Sequence, residues 1–150
     1  MDISLQERQE ILRVCGSMTP EFMDGEDEQS LRLFQDRPPF YVSCLAATNT
    51  EELPGGGGHM TLRGCYVNSQ EGFEPLMTAV LRHLADRCKE IVFFDVGAEY
   101  GLTSLITAAL FERSHAHIFE MNPFTRRALQ RNLALNRHLP ATFSVNQLLL

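Results

Sequence analysis

Between Ile91 and Pro123 the chain sets two acids and two glycines at spacings that could hold a ligand. Asp95 comes just before Gly97 and Gly101, and Glu120 follows an apolar segment. Glycines placed this way let a backbone turn tightly and approach a ligand closely. A carboxylate accepts hydrogen bonds from both hydroxyls of a ribose. A helix starting near Leu102 would offer free backbone N–H groups to a carboxylate or a phosphate.

Flanking segments must position these residues. Ile91 to Phe94 is a short continuous apolar run, which predicts a strand covered on both faces with Asp95 at its end. Leu102, Leu105, Ile106, Ala109 and Leu110 fall on one face of a helix. Ala116 to Phe119 predicts a second strand ending at Glu120. Parallel pairing of these strands would set Glu120 beside the Gly97–Gly101 loop. Strand, glycine turn, helix, strand and acid make half of a nucleotide-binding crevice.

Two cofactor classes compete for such a crevice. The dinucleotide fingerprint G-x-G-x-x-G places a pyrophosphate on the helix start. Here the pattern is Asp95-x-Gly97-x-x-x-Gly101, without a third glycine in the required place. That disfavours a nicotinamide-binding Rossmann module. An acid ahead of the first glycine suits a cationic, amino-acid-bearing cofactor such as S-adenosylmethionine.

Asp-Val-Gly-Ala-Glu-Tyr-Gly-Leu-Thr-Ser-Leu at 95–105, Phe-Glu-Met-Asn-Pro at 119–123 and Arg-Asn-Leu-Ala-Leu-Asn at 131–136 resemble the FkbM family of S-adenosylmethionine-dependent methyltransferases. Phe73-Glu74-Pro75 is similar to the segment ahead of that family's first helix. Glu99 stands where the family usually has Asn, and Met121 where it usually has Pro. The resemblance implies cofactor binding by Asp95, Gly97, Ala98, Glu99, Tyr100, Gly101, Glu120, Met121 and Asn122. It also implies O-methylation of a hydroxyl on a sugar or small molecule, with no residue here identified as the catalytic base. Residues 72–150 resemble only the first half of such a catalytic domain, so the chain alone is expected to transfer little or no methyl group. A non-catalytic remnant is the other reading.

The remaining composition narrows the partners. A net charge of −6 argues against a nucleic-acid-binding surface over the whole chain. No apolar run approaches the roughly 20 residues of a membrane helix, and the N-terminus lacks the pattern of a signal peptide. Cys15, Cys44, Cys65 and Cys88 form no C-x-x-C pair and read as reduced thiols of a cytoplasmic protein. His115 and His117 share a strand face without an obvious third metal ligand, and Ser104 and Ser114 lack a nucleophile-elbow context.

In order, the chain predicts a short helix over Leu5 to Cys15, a solvated acidic loop over Glu21 to Glu28, and strands at Leu31 to Phe34 and Tyr41 to Ala47. Gly55 to Gly58 reads as a flexible connector and Thr61 to Val67 as a further strand. Pro75 opens a helix reaching Arg87, with Leu76, Met77, Val80, Leu81 and Leu84 as its core stripe. Asn122 and Pro123 begin another, with Phe124, Ala128, Leu129, Leu133 and Leu135 on its apolar face and Asn136 as its stop. Thr142 to Leu150 predicts the third strand.

The element order predicts an α/β fold; the resemblance implies a Rossmann-like methyltransferase fold with an incomplete parallel sheet and helices on both faces. Residues 1–71 form an α+β extension and 72–150 the first half of the methyltransferase domain. The Ile91 strand is left with an apolar edge that N-terminal strands or a partner chain would cover, and that otherwise is expected to favour self-association or aggregation.

Overall fold

The computed structural model describes residues 4–18, 21–24, 28–43 and 74–147. Its first element is α1 (Leu5–Ser17), two residues longer than the sequence suggests. A capping box starts it: the Glu7 N–H donates to Ser4 Oγ at 3.2 Å, and the Ser4 N–H to Glu7 Oε2 at 2.8 Å. Strands β1 (Glu21–Asp24), β2 (Glu28–Arg32) and β3 (Phe40–Ser43) form an antiparallel sheet in that order. The expected acidic loop thus contains β1 and the first residue of β2. Ladder pairing from Glu21↔Arg32 to Asp24↔Gln29 overrides the weak strand preference of Glu and Asp. Leu33 and Phe34 leave β2 in a turn, where the Arg37 N–H donates to the Phe34 carbonyl at 3.1 Å. The connector at Gly55–Gly58, the strand expected at Thr61–Val67 and the boundary at 71/72 lie outside the described residues.

Helix α2 (Pro75–Ala85) begins at Pro75, the position whose missing N–H costs nothing. Its buried face is Thr78, Ala79 and Leu81, while Leu76 and Leu84 are 55% and 39% exposed. The expected leucine stripe is therefore only partly core. The small Thr78 and Ala79 side chains let α2 come close to its neighbours. The Arg82 guanidinium makes a bidentate pair with Asp36 at 2.7 and 2.9 Å, fastening α2 to the turn after β2.

Three parallel strands follow among the described residues: β4 (Glu90–Val96), β5 (Arg113–Phe119) and β6 (Ala141–Asn146), ordered β4-β5-β6. Helix α3 (Leu102–Leu110) joins β4 to β5, and α4 (Pro123–Leu135) joins β5 to β6. Every predicted apolar position of α3 is buried. On α4 Ala128, Leu129 and Leu133 are buried and Leu135 half-buried, while the Phe124 side chain lies outside the description.

Register divides the sheet into two faces. Ile91, Phe93 and Asp95 pair with Ser114, Ala116 and Ile118, and this face meets the helices. Val92, Phe94 and Val96 lie on the other face and are 63%, 60% and 61% exposed. The expectation that β4 is covered on both faces fails among the described residues. A continuous apolar run marks both faces as apolar; it does not specify what lies against them. Asp95 is the sixth residue of a seven-residue strand, one place inside its end.

Leu31, Leu33 and Phe40 of the N-terminal segment join the core formed by Leu105, Ile106, Ile118 and Leu129. Asn136, fully buried just past α4, makes the junction polar. Its Oδ1 accepts the Tyr41 N–H at 2.8 Å, and its Nδ2 donates to the Tyr41 carbonyl at 2.6 Å and the Asn132 carbonyl at 2.8 Å. The amide thus satisfies one residue of β3 as a neighbouring strand would. Replacing it leaves buried partners unsatisfied, at about 1–3 kcal/mol each. Asn136→Ala should accordingly lower the urea-unfolding free energy by at least about 2 kcal/mol; a loss within error of zero contradicts the clamp.

Candidate functional site

Residues 95 to 101 and 120 to 122 meet where β4 and β5 end. The N–H groups of Gly97 and Ala98 both donate to the Phe119 carbonyl, at 2.9 and 3.2 Å, which draws the loop over the end of β5. Gly97, Glu99 and Gly101 all have left-handed backbones, with φ of 74°, 49° and 80°. Glycine adopts this conformation freely, whereas Glu99 does so against a steric cost of about 1–2 kcal/mol.

The two glycines differ in their surroundings. A Cβ on Gly101 would collide with Leu129 Cδ1, because α4 packs directly against the start of α3. At Gly97 a Cβ would meet nothing within 4 Å. Gly97 therefore borders open space, and Gly101 a packed interior.

Glu120 is 7% exposed and braces the loop with both carboxylate oxygens. Oε2 accepts the Glu99 N–H at 2.8 Å and Oε1 accepts the Asn122 N–H at 2.7 Å. Two acceptor positions remain, since an ionised carboxylate offers about four. Its own N–H donates to the Asn146 carbonyl at 3.1 Å, extending the β5–β6 ladder past the strand end.

Asp95 is 8% exposed. The Ser104 hydroxyl donates to its Oδ2 at 2.6 Å, and the Ser104 backbone N–H donates to the same carboxylate. Asp95 thus holds the first turn of α3, whose N-cap Gly101 has no side chain to do so. Burial pushes its carboxyl above the ordinary range; the Ser104 bonds oppose that shift and the nearby Glu120 charge adds to it.

Of the other residues expected here, Tyr100 presents its carbonyl to Asn132 Nδ2 at 2.9 Å. Met121 is 56% exposed at the rim. Asn122 starts α4, its carbonyl accepting the Arg126 N–H at 3.0 Å. All nine expected residues therefore converge on one end of the sheet. Ser104, Asn132 and Asn136 lie within the motif segments quoted from the sequence but were not among the nine, and they complete the arrangement. The available signal was two amides four residues apart on an apolar helical face, where a polar side chain needs a buried partner.

Other chemistry-bearing groups sit elsewhere. His115 and His117 occupy the exposed sheet face, His115 bonded to Thr142 Oγ1 at 2.6 Å and His117 stacked on Phe94 at 4.9 Å. No cluster of three or more candidate metal ligands occurs among the described residues. A cavity of about 590 Å³ opens at the opposite, N-terminal ends of the strands, lined by Ile91, Ser114, His115, Pro140 and Thr142. Parallel α/β sheets bind ligands at the carboxyl ends, so the loop is the stronger candidate. Among the described residues no helix is long and apolar enough to cross a membrane. Comparison with protein-family models, curated proteins and solved structures finds no match to the chain.

Two outcomes follow. Gly101→Ala must displace Leu129 and adopt a strained φ, so it should destabilise the fold by more than about 2 kcal/mol, while Gly97→Ala should cost only about 1–2 kcal/mol of strain. Equal losses in thermal or urea unfolding contradict the packing difference. Asp95 has a folded pKa above its unfolded value, so below an unfolded pKa of 3.8 it costs nothing and stability is lost as pH rises through the folded value. Asp95→Asn should therefore gain stability relative to the parent chain as pH is raised from 3.8 towards neutrality. A pH-independent difference between the two chains contradicts it.

Proposed function

We propose that the chain binds S-adenosylmethionine over the 95–101 loop and belongs to the FkbM-like methyltransferases, acting on a hydroxyl of a sugar or small molecule. The chain is α/β, with a parallel β4-β5-β6 sheet among the described residues and flanking helices, compatible with part of a Rossmann-like methyltransferase domain. The observation that carries the reading is Glu120: a buried carboxylate at the end of β5, with acceptor positions left over, beside a glycine that borders open space.

The residues fit the cofactor's chemistry. Glu120 would accept the two ribose hydroxyls on its remaining lone pairs. Gly97 would let the backbone lie against the ligand, and Ala98, Glu99 and Tyr100 would line the loop with main-chain groups. Asp95 would act through the loop, by holding α3, and through its proximity to a cationic ligand. Met121 and Asn122 would border the adenosine side. The bound cofactor supplies an activated methyl group, so the protein's task is alignment of an acceptor hydroxyl. No side chain near the loop is assigned as the base.

One observation favours the second reading, a non-catalytic remnant. Asp95 and Glu120 both have partners inside the chain, so each also serves as a loop brace. Binding separates the two readings. Isothermal titration should give saturable binding of S-adenosylmethionine and of its demethylated product, and none of NAD. Glu120→Gln, checked for folding by circular dichroism, should weaken binding at least about tenfold, the equivalent of one charge-assisted hydrogen bond. Absence of cofactor binding by the folded chain, or tighter binding of NAD, overturns the proposal.

A further inference from the structure

We propose that the Glu99 side chain sets the charge preference of the loop site, favouring the cationic sulfonium of S-adenosylmethionine over the neutral thioether of its demethylated product. This selectivity rests on the cofactor binding proposed above and belongs to that same site. Glu99 lies midway between Gly97 and Gly101 and shares their left-handed backbone, with φ of 49°. Glycine takes that conformation freely and asparagine tolerates it, whereas glutamate takes it at a steric cost. Such outliers collect at ligand sites, where the strain accompanies a function.

The structural duty of Glu99 belongs to its main chain. Its N–H donates to Glu120 Oε2 at 2.8 Å, a bond that any residue except proline would make. Its side chain is exposed and makes no hydrogen bond or ion pair among the described residues. The other two acids of the site differ. Asp95 and Glu120 are buried, Asp95 accepting from Ser104 and Glu120 from two main-chain N–H groups. What glutamate adds at position 99 is therefore an uncommitted negative charge, two residues from Gly97, where the loop borders open space. No Lys, Arg or His occurs in 95–101 or 120–122 to offset it. The cofactor and its product differ by one methyl group and one positive charge. An acid beside the bound ligand therefore raises the affinity of the first relative to the second, by about three- to tenfold at an exposed site. Because the charge is exposed, salt screens the effect.

Isothermal titration of the full chain with both ligands, at about 10 mM and about 1 M NaCl, tests the proposal. The ratio of the two dissociation constants should move towards the product by at least about threefold at high salt. Glu99→Gln keeps the side-chain length without the charge, and Glu99→Asn suits the left-handed backbone. Each should move the ratio the same way at low salt, by at least about threefold, and reduce its salt dependence. Glu99→Asp keeps the charge and should keep the preference. Circular dichroism checks that each variant folds. Binding of both ligands in a ratio that Glu99→Gln and Glu99→Asn leave unchanged overturns this selectivity alone. Failure of the parent chain to bind either ligand overturns the cofactor proposal and the selectivity with it.

Discussion

The Glu120 carboxylate, fixed between the N–H groups of Glu99 and Asn122, is the interaction on which the loop geometry depends. One bond holds the tip of the β4–α3 loop and the other the entry to α4, so one side chain sets the spacing of both connections. It also offsets the strain of Glu99, whose left-handed backbone would otherwise be unfavourable. Asp95 does the complementary work by holding the first turn of α3 through Ser104. Two buried acids thus confine a loop that has three left-handed residues. The burial that makes them effective braces also pushes the Asp95 carboxyl upward.

Helix α4 carries this order across the molecule. Leu129 packs on Gly101, Asn132 bonds the Tyr100 carbonyl, and Asn136, just beyond the helix, bonds Tyr41 of β3. These positions, three to four residues apart, continue one helical face. One stripe therefore connects the candidate site to the N-terminal sheet. Leu31 and Phe40 complete that connection on the apolar side by entering the same core as Leu105 and Leu129.

How much of this was legible in the sequence depended on whether a feature was local. The start and buried face of α3 followed from its apolar period and the flanking glycine, and the start of α4 from Pro123. Glu120 was placed at a strand end because the apolar run Ala116 to Phe119 stops there, although the strand itself begins earlier, at Arg113. Strand β1 was missed because its acidic residues are recruited by pairing with β2, a non-local effect. Composition could not choose between the Leu76–Leu84 stripe and the Thr78–Ala79 face, since small residues set helix approach as much as large ones fill cores. Asn136 looked like a helix stop and is also the clamp on β3; the partner lies 95 residues away.

Under the proposed function, the loop held by Glu120 is a preorganised ligand site as well as a brace. A ¹H–¹⁵N correlation spectrum of the chain titrated with S-adenosylmethionine distinguishes the two. A ligand site there gives progressive, saturable shifts confined to the amides of Gly97 to Gly101 and Glu120 to Asn122, with β6 and α1 unmoved. An unchanged spectrum, or shifts centred on the opposite end of the sheet around Ser114 and Thr142, would contradict it.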